Sequence, residues 1–256
     1  MNKEKYIALK HRFHDYVSTF CDNSNKLVYA LQEKLEHIHR VANNCVFIAK
    51  ELGLKENEIY MAEICGLYHD IGRFSQFKEY NTLDDSKSVN HGLQGFKTII
   101  LGNMLSVLPE NEACIILNSV RFHNARNVPV ELTSDSIFYT NIVRDADKLD
   151  IIEIVNDAIT SKAILNDKST VWNLEFGRLN PEISKSILNN KSANYSDVIN
   201  ATDVCFLQLS WIFEINFKPV LHRLIKIRAI GNLANAIISD ENSKNAIEHL
   251  KIFLTS

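Results

Sequence analysis

The chain of 256 residues has few of the two residues that most often interrupt helices, with only 8 glycines and 4 prolines. No stretch sustains the alternation of apolar and polar residues that marks a half-buried strand. Apolar residues instead recur at steps of three and four, as they do on one face of a helix. These features predict an all-α protein and disfavour a sheet-based fold.

Paired cysteines are also missing. The 5 cysteines are an odd number, widely spaced and without a C-x-x-C pair. The sequence therefore gives no sign of a disulfide framework or of a cysteine-ligated zinc site. We expect all of them to be reduced core residues, namely Cys21, Cys45, Cys65, Cys114 and Cys205.

A large excess of charge is absent too, since the formal net charge is -3. The surface as a whole offers no general attraction to nucleic acid or to an anionic membrane, so phosphate recognition would have to be local. The longest apolar runs, such as 204–207, are far too short to span a bilayer. The first residues carry charges but no apolar segment of the secretory type, and we expect a cytoplasmic protein.

The apolar pattern predicts a series of helices. The clearest begins at an N-cap at Ser24 or Asn25, and Gly53 stops it. The next predicted helices span about 56–69, 91–104, 110–123, 134–161, 181–190, 195–216, 219–230 and 242–254.

Two segments lack a clear helical period. The polar segment 73–90 is predicted to be a long loop, and such loops in compact domains often act as lids. Near 166–180 the pattern weakens again. We therefore expect a ligand-bearing helical domain over residues 1–165 and a C-terminal helical extension over 166–256, with one single domain as the alternative.

The adjacent residues His69 and Asp70 are the most informative pair in the chain, because an imidazole and a carboxylate at a helix end can both reach one cation. Nitrogen and oxygen ligands of this kind suit divalent ions such as Zn, Fe or Mn. The other candidate ligands are His37, His91, His123 and Asp147.

Five short motifs surround these residues in order. They read HIHRV at 37–41, HDIGR at 69–73, HGLQG at 91–95, VRFHN at 120–124 and IVRDADKLD at 142–150. Together they resemble the H-x-x-R-V, H-D-I-G-K, H-x-x-x-G, second-histidine and A-D-x-L-D elements of the HD-domain superfamily of metal-dependent phosphohydrolases. The resemblance covers about residues 25–160 and leaves the last third of the chain unmatched.

The resemblance implies an all-α HD-domain helical bundle with additional C-terminal helices. It also implies a set of ligands: His37, His69, Asp70 and Asp147 for one metal, and His91 and His123 for a second, with Asp70 bridging. The two extra histidines favour a dinuclear site over the single metal that some relatives use. The expected cofactors are two divalent ions drawn from Mn, Fe, Zn, Co, Ni and Mg.

The resemblance also points to residues that act on the substrate. Asp70 is catalytic as the bridging ligand. Arg73 stands where many relatives have lysine and could bind a phosphate in bidentate fashion. Lys148, next to the last ligand, is a second candidate for phosphate contact. Asn124 stands where the cyclic-dinucleotide subgroup has a second histidine, which disfavours cyclic di-GMP as the substrate.

Two assignments have close competitors. Helix periodicity does not choose between His37 and His39, and only the family spacing favours His37. Near the last motif, Asp145 is expected to be a surface carboxylate. Asp150 lies one helical turn after Asp147 and is expected to orient a ligand through a hydrogen bond.

The run 206–217 is rich in bulky apolar residues on more than one face. It predicts a buried core helix, and it is also compatible with a homodimer contact or with one wall of a substrate pocket. The sequence does not choose among these roles.

The leading functional hypothesis is a cytoplasmic phosphohydrolase in which metal-activated water cleaves a phosphoester of a small molecule, a nucleotide or a related compound. The alternatives are a di-iron oxygenase of the same fold and a non-catalytic signalling or binding module. The expected partner is a small phosphorylated substrate, with no stable binding to nucleic acid and no membrane association.

Overall fold

A computed structural model describes residues 1–161, 173–237 and 240–255 of the chain. These residues form α-helices and short 3-10 turns and include no strand, so the all-α prediction is confirmed. The chain divides into two compact units, Met1–Asp147 and Lys148–Ser256. The boundary that the sequence predicts between residues 165 and 166 lies outside the described residues.

The first unit is built from six helices and the beginning of a seventh. They are α1 Lys3–Ser18, α2 Tyr29–Glu51, α3 Glu56–Tyr68, α4 Gly72–Tyr80, α5 His91–Leu101, α6 Glu110–Phe122 and α7 Ser134–Thr160, with a 3-10 turn at Asp85–Lys87. Helix α2 packs along α3, α4 packs on α5, and α5 packs on α6. The division between the two units falls inside α7.

The core of this unit lies between α2 and α3. Both helices bury apolar residues at helical spacing: Leu31, Ile38, Val41, Cys45 and Ile48 on α2, and Met61, Ile64, Cys65 and Tyr68 on α3. Gly66 allows the two helices to approach closely, because a Cβ atom at this position would lie 2.9 Å from the Cα of Ala42. This packing fixes the ends of α3, where the candidate pair His69–Asp70 follows.

Helix α1 is not revealed by the apolar pattern, although it contributes to the core. Leu9 and Phe13 are fully buried on it. The hydroxyl of Tyr68, on α3, donates a hydrogen bond to the carbonyl oxygen of Leu9 over 2.8 Å. The buried residues Leu9, Phe13 and Val17 form only a narrow apolar face on an otherwise polar helix. The apolar periodicity of α1 is therefore weak.

The prediction of a long loop over 73–90 is wrong for its first half. Helix α4 occupies Gly72–Tyr80. The side chains of Phe74 and Gln76 on this helix are fully buried. The helix has only 9 residues, too few for a clear apolar period in a polar segment. The remaining stretch contains the 3-10 turn Asp85–Lys87.

The predicted N-cap of α2 at Ser24 or Asn25 is also wrong. The helix begins at Tyr29, and no side chain caps it. A side-chain oxygen of Asp22 accepts hydrogen bonds from the backbone N–H groups of Ser24 and Lys26, at 2.8 and 2.9 Å. Asn25 adopts a left-handed φ of 58°. The polar residues therefore form a turn rather than a cap.

The described residues of the second unit contain the end of α7 and five further helices. They are α8 Pro181–Leu188, α9 Ala201–Ser210, α10 Lys218–Lys226, α11 Ala229–Ala236 and α12 Glu241–Thr255. Helix α12 packs on α8 and on α11. Every residue of α9 is buried, which confirms the prediction of a core helix for that part of the run.

Two predicted helices of this unit are each divided in the structure. The segment 195–216 contains 3-10 turns at Tyr195–Asp197 and Trp211–Glu214 on either side of α9. The carboxylate of Asp203 accepts hydrogen bonds from the backbone N–H groups of Ile199 and Asn200 and so fixes the start of α9. The segment 219–230 is interrupted at Arg228, whose φ is 57°.

All five cysteines are free thiols. Cys45, Cys65 and Cys205 are buried as expected, whereas Cys21 is half-buried and Cys114 is exposed, so the core prediction is wrong for Cys114. Among the described helices none has the length and apolar character needed to cross a membrane.

Candidate metal centre

The six predicted ligands belong to the first unit and lie close together. His37 lies within α2, His69 follows α3, His91 begins α5, His123 follows α6, and Asp147 lies within α7. They form three overlapping groups whose ligand atoms lie within 4.8 Å of one another: His37, His69 and Asp70; His69, His123 and Asp147; and Asp70, His91 and His123. The fold therefore brings together residues that are as far apart in sequence as His37 and Asp147.

His69 and His123 are positioned in the same way. Each is the C-cap of a helix, where the last backbone carbonyl groups lack helical partners. The Nδ1 of His69 donates to the carbonyl oxygen of Gly66 over 2.7 Å, and the Nδ1 of His123 donates to that of Val120 over 2.8 Å. With the proton assigned to Nδ1 by these contacts, each Nε2 presents a lone pair to the cluster.

His91 receives a different acceptor. Asn90 caps α5 by accepting a hydrogen bond from Leu93 N over 2.9 Å, which places His91 at the first position of the helix. The Nδ1 of His91 donates to Oδ2 of Asp85 over 2.7 Å. Its Nε2 lies 3.0 Å from the Nε2 of His123, so two imidazole lone pairs face each other.

Asp70 lies between two pairs of histidines. Its Oδ2 is 3.7 Å from Nε2 of His37 and 3.8 Å from Nε2 of His69. Its Oδ1 is 3.3 Å from Nε2 of His91 and 3.6 Å from Nε2 of His123. The carboxylate is 2% exposed, and each of its oxygens faces a different pair.

The structure places His37, and not His39, in the cluster. The Nε2 of His37 lies 3.2 Å from Oδ1 of Asp147 and 3.4 Å from Nε2 of His69. The ring of His39 stacks instead on that of His14, with 5.6 Å between the centroids. Two positions along α2 turn the side chain by about 200°, which separates these two environments.

Helix α7 is joined to the end of α6 beside the cluster. Arg144, one turn before Asp147, donates from Nη1 to the carbonyl oxygens of Phe122 and His123 at 3.3 and 3.1 Å, and also to that of Ala125. A cation that satisfies the last carbonyl groups of a helix stabilises its end. The contact therefore fixes the backbone of His123 relative to the helix that carries Asp147.

The part of the chain that contains the six clustered residues matches a known protein family. Residues 35–152 match the model of the family described as HD domain. Residues 35–152 are therefore similar to an HD domain. The matched range contains all six clustered residues, and the family is a superfamily of metal-dependent phosphohydrolases with an all-α fold. The motif-based recognition and the predicted fold class are thus confirmed. No curated protein matches the chain.

The donor set of the HD domain could hold a divalent metal. The buried Oδ1 of Asp70 accepts no hydrogen bond in the described structure. Its ion pair with Nε of Arg73 is long, at 3.5 Å, and a cation among the histidines would give this anionic oxygen a closer partner. The facing lone pairs of His91 and His123 repel each other unless a cation lies between them. Neutral imidazole and carboxylate groups are ordinary ligands of Zn, Mn, Fe and similar ions.

Burial favours the neutral form of two histidines of the cluster, His69 and His91. Burial lowers the pKa of His69 to about 3, despite the opposing attraction of Asp70. Burial also lowers the pKa of His91. At neutral pH these imidazoles therefore present lone pairs rather than protons, which is the state that binds metal.

The carboxylates of the cluster remain ionised. Burial alone raises the pKa of Asp70, but the charges of Lys34 and Arg73 outweigh it and hold that pKa well below its usual value. For Asp147, burial likewise raises the pKa, and the hydrogen bond and charge of His37 lower it below its usual value. The cluster thus combines neutral imidazoles with anionic oxygens.

Two residues near the cluster lie outside the five motifs. The Nζ of Lys34 lies 3.4 Å from Oδ2 of Asp70. Lys34 precedes His37 by about one helical turn, and this spacing could have indicated that both side chains lie on the same face of α2. Asp85, the acceptor for His91, lies in the segment predicted to be a loop, and no local pattern marks it.

The predicted phosphate contacts have protein partners. Arg73 donates from Nη1 to Oδ1 of Asp85 over 2.7 Å and to the carbonyl oxygen of Leu83 over 2.6 Å. Lys148 lies in the second unit, where its Nζ is 3.0 Å from Oε2 of Glu214. Neither residue belongs to the clustered groups.

The carboxylates that compete with Asp147 are both buried. Asp145 has no exposed surface and Asp150 is 2% exposed. The prediction that Asp145 is a surface carboxylate is therefore wrong, because α7 is covered on more than one side. Asp150 belongs to the second unit, and its predicted orienting role stays a prediction.

Proposed function

We propose that the HD domain of this protein binds two divalent metal ions and hydrolyses a phosphoester of a small molecule, a nucleotide or a related compound. The observation that carries the proposal is the position of Asp70. Its Oδ2 faces His37 and His69 while its Oδ1 faces His91 and His123. A carboxylate with this arrangement is suited to bridging two cations.

The ligand sets follow from these contacts. One ion would be held by His37, His69, Asp70 and Asp147, and the other by His91 and His123 together with the second oxygen of Asp70. The overlap of the three groups at His69, Asp70 and His123 supports a dinuclear site over two separate ones. The identity of the ions, among Mn, Fe, Zn, Co, Ni and Mg, depends on the supply in the cell.

Ions of this kind, when bound, act as Lewis acids on a phosphoryl oxygen and bring the pKa of a water molecule towards neutrality. The residues of the chain would then orient the histidine ligands and supply negative charge. The backbone carbonyl groups of Gly66 and Val120 hold the rings of His69 and His123 in one tautomer. Buried ionised carboxylates balance the charge of the ions.

Lys34 is the cation that we propose for contact with the substrate. Its ammonium group contacts Asp70, and its side chain is 27% exposed, so an anion that approaches the cluster from solvent can reach it. Arg73 and Lys148 stay predictions for phosphate contact. The hydrogen bonds of Arg73 to Asp85 and Leu83 limit the part of its guanidinium group that remains for a substrate.

The direct test measures inorganic phosphate released from a panel of nucleotides and sugar phosphates, with Mn²⁺ or Fe²⁺ added. We expect release by the wild type and a loss of at least about 100-fold in Asp70→Asn, because several kcal/mol of charge stabilisation depend on the bridging ligand. Asp84→Asn, which removes a nearby exposed carboxylate, is the matched control and should retain activity.

The same preparation separates the alternatives. Uptake of dioxygen by the iron-loaded protein, without phosphate release from any compound, would replace the proposal with a di-iron oxygenase. Bound metal with neither activity would indicate a signalling or binding module.

A further inference from the structure

Asp85 has an unusual place among the residues that surround the cluster. It begins the 3-10 turn Asp85–Lys87. Its Oδ2 accepts hydrogen bonds from Nδ1 of His91 over 2.7 Å and from the backbone N of the same residue over 3.3 Å. Both contacts act on one candidate ligand, through its ring and through its backbone.

The other oxygen of Asp85 is held by two donors from α4. Its Oδ1 accepts from Nη1 of Arg73 over 2.7 Å and from Nε2 of Gln76 over 3.0 Å. Gln76 is fully buried, and its Nε2 also donates to Ser88 Oγ and to Val89 O. The carboxylate is therefore fixed from both sides, with donors on each oxygen.

The three histidines with identified Nδ1 acceptors differ in the charge of that acceptor. His69 and His123 donate to neutral backbone carbonyl oxygens, whereas His91 donates to a carboxylate. A carboxylate behind an imidazole fixes its tautomer and increases its basicity toward a metal on the opposite nitrogen. Among these three rings, His91 is thus the one whose affinity for a cation depends on an ionised side chain.

We propose that Asp85 is the positioning residue of His91 and sets the affinity of the second ion, the one assigned to His91 and His123. The inference rests on the proposed dinuclear site. It assigns the segment 81–90 a role in the metal site, although no residue of that segment is among the clustered ligands.

The substitution Asp85→Asn tests this role sharply, because every group around the carboxylate is a donor. An amide in its place must direct its NH₂ group either at Arg73 and Gln76 or at His91. In the second case His91 accepts at Nδ1, carries its proton on Nε2 and loses the lone pair that faces His123.

The measurement is calorimetric titration of the metal-free full chain with Mn²⁺. We expect the wild type to bind two ions. In Asp85→Asn one ion should bind about 10- to 100-fold more weakly while the other changes little, as for losses of carboxylates behind metal-bound histidines. Asp84→Asn is the control, since it removes one neighbouring charge and keeps an oxygen that can cap Ser86 N.

A double-mutant cycle distinguishes positioning from general stiffening of the segment. In a His91→Gln background the second ion is already weakened, and Asp85→Asn should add no further loss. Equal weakening of both ions, or an undiminished effect in the His91→Gln background, would overturn the inference. If Asp85→Asn does not fold, Asp85→Glu is titrated in its place and should weaken the second ion selectively, by a smaller factor.

The outcome also separates this inference from the proposed function. A wild type that binds no divalent ion refutes the dinuclear site itself. A wild type that binds two ions, with Asp85→Asn unchanged, refutes only the role of Asp85.

Discussion

Single residues of the cluster are arranged by hydrogen bonds at atoms that face away from it. His69, His91 and His123 each donate from Nδ1, so each Nε2 is left as an acceptor facing the cluster. Metal-binding histidines are generally oriented in this way. The structure is therefore prepared for a cation before one binds, and the burial of His69 and His91 keeps their rings neutral.

Lys34 gives a prediction that separates metal binding from substrate binding. Replacing it with glutamine removes one of two cationic side chains beside Asp70 and leaves Arg73 in place. We expect unchanged or tighter Mn²⁺ binding, because a competing positive charge is lost. We also expect kcat/KM for the phosphorylated substrate to fall about 10-fold or more, as for loss of a charge-assisted hydrogen bond. Lys50→Gln, at the far end of α2, is the control.

Weaker metal binding in Lys34→Gln, together with unchanged kcat/KM, would contradict the role of Lys34. Calorimetric titration and steady-state kinetics on the same preparations supply both values.

His14 provides a prediction about pH. Burial, followed by the charges of Lys10 and His11, lowers its pKa from the ordinary value of 6.5. The folded state therefore binds fewer protons than the unfolded state, so the stability that His14 contributes is present above about pH 6.5 and lost as the pH falls below it. We expect His14→Gln to lose less stability than the wild type between pH 7.5 and pH 5. Urea unfolding at both pH values measures this, and equal losses would contradict it.

The sequence predicts the clustered ligands but not the residues that surround them, and the reason is physical. The clustered ligands lie in short motifs of neighbouring residues, so they can be recognised in the sequence. Asp85 and Lys34 act through contacts that depend on the path of α4 and on the rotation of α2. The choice between His37 and His39 likewise depends on which side of α2 meets α3, and that is a property of packing.

Secondary-structure elements supply the ligands mainly at their ends. His69 and His123 end α3 and α6, and His91 begins α5. Helix ends carry unpaired backbone groups that can orient side chains. Helix α4, which the polar pattern conceals, supplies Arg73 and Gln76 to the network behind His91. The site therefore depends on how closely α4 and α5 approach.

Gly72 allows that approach and yields a prediction. A Cβ atom at Gly72 would collide with the backbone carbonyl oxygen of His91 and with the backbone nitrogen of Gly95. We expect Gly72→Ala to destabilise the protein by roughly 3 kcal/mol, because backbone atoms must shift, and to weaken binding at His91. Chemical denaturation and metal titration measure the two effects.

Gly231 is the matched control. It lies inside α11, and a Cβ atom there would meet nothing within 4 Å. Gly231→Ala should leave stability unchanged or raise it by about 0.5–1 kcal/mol, because alanine favours a helix interior. Equal destabilisation by both substitutions would contradict the importance of the α4–α5 approach.

The elements show where sequence patterns succeed and fail. Helices α2, α3, α6 and α7 are predicted within a few residues at most ends. Helix α4 is missed because few of its residues are apolar. The predicted helix 195–216 begins too early because the capping box of Asn200 and Asp203 starts α9 at Ala201. Local polar chemistry, more than hydrophobic period, decides these boundaries.

The whole molecule consists of two compact units, and the candidate ligands come from helices of the first. Ligands on α2, α5 and α7 and at the ends of α3 and α6 would be joined by a bound ion. Binding to the folded state alone stabilises it by about 2.7 kcal/mol when the free ion is at 100 times its Kd. We expect this stabilisation in the first unit, which carries the candidate ligands.

We therefore predict that Mn²⁺ raises the Tm of the wild type and that a chelator reverses the rise. Hydrogen exchange should slow in α2, α3 and α5 upon metal binding and remain similar in α8 and α12. Asp70→Asn should lose most of the stabilisation. A rise in Tm of equal size in Asp70→Asn would mean that the ions bind elsewhere on the protein.

Electron paramagnetic resonance of the Mn²⁺-loaded chain can show whether Asp70 bridges two ions. Two ions joined by one carboxylate should interact magnetically, so we predict two Mn²⁺ per wild-type chain with a spin-coupled spectrum, and loss of the coupling in Asp70→Asn. A wild type that binds at most one ion, or two ions with the spectrum of isolated Mn²⁺, would contradict it.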